Sequence, residues 1–122
     1  MARLCPRDGS EIPAGTLPCP ACGWRDTIQL TGSADSMRSK TTIDIRQDPL
    51  TRRICGDDAR FMDTTRQFTI RRGDEDWFLC PNLAIKNETF VNGTAVAGDT
   101  VLSDGDEISL KGKAAFIKVS FP

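Results

Sequence analysis

Three cysteines and one carboxylate fall in two copies of a single short pattern. Cys5-Pro6-Arg7-Asp8-Gly9 and Cys19-Pro20-Ala21-Cys22-Gly23 both read Cys-Pro-x-ligand-Gly. The glycine permits the left-handed backbone that closes such a turn, and the turn aims backbone amides at the thiolates. Two residues between donors let one turn supply two ligands to a tetrahedral ion. A set of Cys5, Asp8, Cys19 and Cys22 therefore suits one structural Zn2+, with no coordination position left for catalysis. The residues also leave three other readings open. The site could have lost its metal, Asp26 or Cys55 could be the fourth ligand, or Cys19-x-x-Cys22 could be a redox pair. A metal-held segment gains its fold from the ion rather than from apolar burial.

Other chemistry is thinned by what is missing. The chain of 122 residues has no histidine and no tyrosine. That removes the commonest general base and every Ser-His-Asp or Cys-His pair, and it argues against an enzyme. Lys plus Arg number 16 against 17 for Asp plus Glu, a net charge of -1. A mainly electrostatic grip on nucleic acid does not fit that balance. Within residues 1–26, Arg3, Arg7 and Arg25 face Asp8, Glu11 and Asp26. The alternative reading, a nucleic-acid-binding zinc ribbon, thus lacks a basic footprint. No apolar run is long enough to span a membrane. Met1-Ala2-Arg3-Leu4-Cys5 has no apolar stretch of a secretory signal, so a reducing, cytoplasmic setting is expected. Cys55 and Cys80 sit among apolar residues and are expected as small buried hydrophobes.

The elements that must position these groups are short strands. Thr42-Ile43-Asp44-Ile45-Arg46 and Arg66-Gln67-Phe68-Thr69-Ile70-Arg71 alternate, placing their apolar residues on one face. Asp76 to Cys80, Thr89 to Val91, Glu107 to Leu110 and Ala114 to Phe121 continue the series. Asn92-Gly93 is a hairpin signal, because a type I′ turn needs two residues with positive φ. Asp104-Gly105-Asp106 marks a second tight turn. Arg71-Arg72 and Asp74-Glu75-Asp76 read as a solvated hairpin tip. Parity points Phe116 away from the core. No window of about 11 residues keeps a helical period. The expected organisation is a zinc ribbon at 1–30, a small polar linker at 31–41, and a mainly β two-sheet sandwich at 42–122.

Three stretches carry a resemblance. Trp77-Phe78-Leu79, then Asn87-Glu88-Thr89-Phe90-Val91-Asn92-Gly93, then Leu102 through Gly105-Asp106-Glu107-Ile108 resemble the forkhead-associated (FHA) family in order and spacing. The paired knuckles are similar to a zinc ribbon. The FHA resemblance implies a two-sheet sandwich of about eleven strands whose loops at one end bind phosphothreonine peptides. Such a site needs an arginine for the phosphate, hydroxyl and amide donors beside it, and asparagines that shape the loops. Here the family's Gly-Arg loop is matched only by Ile45-Arg46 or Arg52-Arg53. Its Ser-Arg-x-His aligns with Thr64-Thr65-Arg66-Gln67, without the arginine and histidine. Its Asn-Gly-Thr has become Asn87-Glu88-Thr89, which sets a negative charge near the phosphate. The candidate partner contacts are Arg46, Arg53, Arg60, Thr64, Arg66, Lys86, Asn87 and Asn92.

Taken together, the knuckles and the run Gln67-Phe68 … Trp77 … Asn87-Glu88-Thr89 … Asn92-Gly93 resemble the C-terminal module of TerY-type von Willebrand factor A proteins. Those belong to bacterial tellurite-resistance clusters with a Ser/Thr kinase and a protein phosphatase. The resemblance implies a non-enzymatic adaptor. Its partner would be a Ser/Thr kinase, a phosphatase or a von Willebrand factor A protein, bound independently of phosphate or with weak phosphothreonine dependence. Neither nucleic acid nor membrane is expected as a partner.

Overall fold

Alternation of apolar and polar residues gives each strand one face to bury, and two such faces make the core. The computed structural model describes residues 3–5, 8–13, 25–62, 64–73, 76–84, 88–110 and 117–122. Its strands are β1 (Arg3–Leu4), β2 (Glu11–Ile12), β3 (Ile28–Thr31), β4 (Ser36–Ser39), β5 (Ile43–Ile45), β6 (Phe68–Arg72), β7 (Trp77–Pro81), β8 (Thr89–Val91), β9 (Thr94–Ala95), β10 (Thr100–Val101), β11 (Glu107–Leu110) and β12 (Ile117–Ser120). Between β5 and β6 lie helix α1 (Pro49–Cys55) and a 3-10 helix (Gly56–Phe61). Among the described residues no helix is long and apolar enough to cross a membrane.

One sheet has the order β10-β7-β6-β5 and the other β4-β3-β12-β11-β8-β9, all neighbours antiparallel. Ile45, Phe68, Ile70, Trp77 and Leu79 of the smaller sheet are buried against Ile28, Leu30, Ile108, Leu110, Ile117 and Val119 of the larger. Each such side chain stabilises the fold by about 1.5–3 kcal/mol relative to exposure. Antiparallel pairing gathers the turns at two ends. The front end holds residues 32–35, 46–62, 64–67, 82–84 and 88. The rear end holds residues 40–42, Gly73, Asp76, Asn92-Gly93 and 102–106. β1 and β2 pair separately as a small hairpin.

Three expectations are corrected. Residues 31–41 are not a linker, and the sandwich begins at Ile28 rather than at residue 42. β4 pairs with β3 from Ser36↔Thr31 to Ser39↔Ile28. As an edge strand β4 is held by its backbone and needs no apolar face, so Ser36-Met37-Arg38-Ser39 shows no alternation. The small residues before it serve a close approach: a Cβ at Gly32 would lie 2.3 Å from the Ile54 carbonyl oxygen. The Ala34 and Asp35 N–H groups donate to that same oxygen at 2.8 and 3.1 Å, and the Ser33 hydroxyl donates to Cys55 O at 3.1 Å.

Helix α1 was also unexpected. At 7 residues it is shorter than a window in which a helical period can show. Local chemistry starts it: the Asp48 carboxylate accepts from Thr51 N–H at 2.8 Å, and Pro49 opens the helix. Thr51, Ile54 and Cys55 form its buried face.

The third correction concerns Cys80. Cys55 is buried, as expected, but Cys80 is only half-buried. It pairs with Thr69 and opposes the parity of core-facing Leu79, so it lies on the outer face of the smaller sheet.

Candidate functional site

The front end is a set of loops tied to one another by Gln67. It immediately precedes β6 and is fully buried. Its N–H donates to Ile45 O at 2.8 Å, and its carbonyl accepts from Asn82 N–H at 3.2 Å. Its side-chain amide donates to the Thr89 hydroxyl at 2.9 Å. Asn82 adds a bond from its amide to Arg66 O at 2.8 Å and accepts from Ala84 N–H at 3.1 Å. Gln67 stands where the FHA pattern has histidine, and in place of that ring a neutral amide ties the approach to β6 to the start of β8, the strands that follow the two front loops. Neither Gln67 nor Asn82 was singled out as a contact candidate. The sequence signal for Gln67 was its alignment with the family's histidine, and for Asn82 its position beside a strand end.

The structure separates the candidate contacts. Arg46 is exposed on the loop after β5, with its Nε 3.7 Å from Asp48 Oδ2. Arg53 reaches Asp35 at 4.0 Å. Arg66 is exposed, and its guanidinium lies 3.4 Å from the Thr69 hydroxyl, which itself donates to Asp44 at 2.8 Å. Arg66 therefore leans onto the outer face of the smaller sheet. Arg60 and Thr64 are exposed at the front end. Lys86 and Asn87 lie outside the described residues.

Asn92 is not at the front end at all. It has φ 51° in the rear β8–β9 turn. Its side chain donates to Asp106 at 2.9 Å and accepts from Glu107 N–H at 2.9 Å. It joins two rear turns and contributes to folding rather than to the front surface.

Two concavities open among the described residues of the front end. One, of about 350 Å³, is lined by Gln47, Asp48, Pro49, Arg52 and Thr64. The other, of about 270 Å³, is lined by Pro81, Asn82, Leu83, Glu88, Thr89 and Ala95 to Ala97. Leu83 is 68% exposed at its rim. On the outer face of the smaller sheet, burial pushes the Cys80 thiol pKa up, against the pull of a hydrogen bond from Arg71. Cys80 is thus held as a thiol, not as a reactive thiolate.

The first knuckle has the turn its sequence demands. Gly9, at φ 77°, donates to Cys5 O at 2.8 Å, and Cys5 N–H donates to Ser10 O at 2.8 Å. Cys5 is buried, and Asp8 Oδ1 accepts from Ser10 N–H at 2.9 Å. One turn thus carries a thiol and a carboxylate, donors that fit half of a four-ligand zinc site. Cys19 and Cys22 lie outside the described residues, as does Phe116.

The FHA domain family model matches residues 64–111. Among solved structures, the chain is similar to the FHA domain of an Arabidopsis thaliana hypothetical protein. The TM-score is 0.61 and the identity 26%, over 78% of this chain and 85% of that one. It is also similar to an FHA domain from work on phosphothreonine-dependent FHA interactions, with TM-score 0.53 and 25% identity over 77% and 95% of the two chains. A third is the FhaA FHA domain in complex with the intracellular domain of Rv3910, with TM-score 0.52 and 25% identity over 75% and 98%. No curated protein matches the chain. The two-sheet sandwich thus has the FHA fold, and the family match together with these structures supports an FHA domain in this chain.

Proposed function

We propose that this protein is a non-enzymatic adaptor whose front loops bind a protein partner in a bacterial Ser/Thr kinase–phosphatase system. Binding is phosphate-independent or only weakly phosphothreonine-dependent. The observation that carries this reading is the front end itself: loops preorganised by Gln67 and Asn82, with Thr65 where the FHA pattern has arginine. Preorganised loops lose little entropy on binding, whatever the partner's charge. The relatives named above include an FHA domain bound to a protein and one studied for phosphothreonine-dependent interactions. The kinase–phosphatase setting rests on the resemblance to TerY-type modules. A pull-down against the neighbouring kinase, phosphatase and von Willebrand factor A protein, phosphorylated and not, tests it. Capture of one of them in both states is expected. Capture of none contradicts the assignment.

The same reading gives the N-terminal segment one structural Zn2+ on Cys5, Asp8, Cys19 and Cys22. When bound, the ion would close the two knuckles together. Elemental analysis after chelator-free purification should find one zinc per chain, and Cys22→Ser should abolish it. The sandwich should stay folded in that variant, because its core lies in β3 to β12. A metal-free wild-type chain contradicts the zinc site.

A further inference from the structure

Strand β4 is one edge of the larger sheet, and among the described residues no strand lies on its outer side. At the head of the β3–β4 hairpin, Gly32 N–H donates to Asp35 O at 2.8 Å. Antiparallel bonds alternate from there, so Leu30↔Met37 and Ile28↔Ser39 exchange bonds and Gln29↔Arg38 does not. Gln29 directs its backbone groups to β12, opposite Ser120. The Arg38 N–H and C=O therefore point outward, as does the Ser36 C=O. Among the described residues nothing engages these three groups. The Ser36 N–H is taken by the Asp35 carboxylate at 2.8 Å.

The same edge is basic. The stretch from Ser36 to Lys40 holds Arg38 and Lys40 and no carboxylate. Arg38 Nε donates to Gln29 Oε1 at 2.8 Å, which holds the exposed guanidinium over the outer face of the sheet and leaves its terminal nitrogens available. Lys40 lies 3.4 Å from Asp26, but Asp26 also pairs with Arg72 at 3.2 Å, so two cations share one carboxylate. Toward the front, Asp35 faces Arg53 at 4.0 Å. Beside the rear end of the strand opens a concavity of about 370 Å³, lined by Thr27, Arg38, Ser39, Lys40 and Pro122. None of these side chains is acidic.

These charges choose between occupants. A second copy paired edge to edge about Arg38 would set two Arg38 side chains opposite each other, and like charges across a strand pair repel. An acidic strand instead meets Arg38 and Lys40. We propose that β4 accepts an extended, acidic segment of a partner protein as an added strand, with one of its carboxylates in the concavity that Arg38 and Lys40 line. Backbone bonds at Ser36 and Arg38 supply affinity, and the cations and concavity supply selectivity. This surface is separate from the front loops and stands whatever those loops bind.

The test uses the full ¹⁵N-labelled chain and three capped peptides. One alternates glutamate and valine, one alternates lysine and valine, and the third is the first with N-methylated glutamates. The residue that bonds Arg38 shares its face, so in an added strand it is a glutamate. The acidic peptide should shift the Thr27 amide and those from Met37 to Lys40, and slow hydrogen exchange at the Arg38 N–H. The lysine and N-methylated peptides should each bind about tenfold more weakly or worse. R38E should weaken the acidic peptide by about tenfold or more, with the amide pattern elsewhere in the sandwich unchanged. Shifts confined to the front loops overturn the proposal, as does equal binding of the N-methylated and unmodified peptides. Equal binding of the lysine and glutamate peptides overturns it too. Concentration-dependent shifts at the same amides without peptide would make the occupant a second copy and overturn the acidic partner.

Discussion

The two ends of the sandwich use arginine in opposite ways. At the rear, Arg25 is buried with φ 69°, its guanidinium paired with Asp76 and stacked 4.7 Å from the Phe121 ring. Its carbonyl accepts the buried Trp77 indole N–H at 2.8 Å. Arg72 donates to Asp26 O at 3.0 Å and Lys40 O at 2.8 Å, and it pairs with the Asp26 carboxylate at 3.2 Å. These arginines clamp the chain where the N-terminal segment enters β3. At the front, Arg46, Arg52, Arg53 and Arg66 are exposed, and the ion pairs of Arg46 and Arg53 are 3.7 and 4.0 Å long. A buried, multiply bonded guanidinium is part of the fold. A solvated one costs little to redirect toward a partner.

Mutation should separate the two ends. The largest loss is expected at the rear. Arg25→Ala removes the Arg25–Asp76 pair and should cost about 2–4 kcal/mol, below the fully buried range because Asp76 is partly solvated. Urea unfolding should show a lower midpoint at unchanged slope. Gln67→Ala should come next, about 1–3 kcal/mol, because it strands the buried Thr89 hydroxyl. It should also weaken partner binding by loosening the front loops. Asn92→Ala should cost about 1–2 kcal/mol, through two lost bonds and a left-handed φ, and leave binding unchanged. A binding loss with Asn92→Ala would return that residue to the contact surface. Arg53→Ala should be the smallest, under about 0.5 kcal/mol, as an exposed pair at 4.0 Å.

What the sequence revealed follows the same division. Ile43, Ile45, Phe68, Ile70, Ile108, Ile117 and Val119 lie in the strands that their alternation predicts, because period-two burial is written locally. The rear turns at Asn92-Gly93 and Asp104-Gly105 were equally legible, since positive φ restricts residue choice. β4 was not, because an edge strand can be polar on both faces. The rear clamp was missed for another reason. Arg25 and Asp76 are 51 positions apart, and Asp74-Glu75-Asp76 alone looks like a solvated tip. Of the candidate contacts, Arg46, Arg60 and Thr64 share the front end, whereas Asn92 lies at the other: its place in the family pattern gave no hint that β8 carries it there.

The central claim is that the front end binds a protein surface and phosphate only adjusts the affinity. Calorimetry with the captured partner segment, synthesised with and without phosphothreonine, measures this directly. The account predicts that both forms bind, with a gain from phosphorylation below about 100-fold, or about 2.7 kcal/mol. A larger gain that Arg46→Ala or Arg60→Ala abolishes would contradict it and make the front end a phosphothreonine switch.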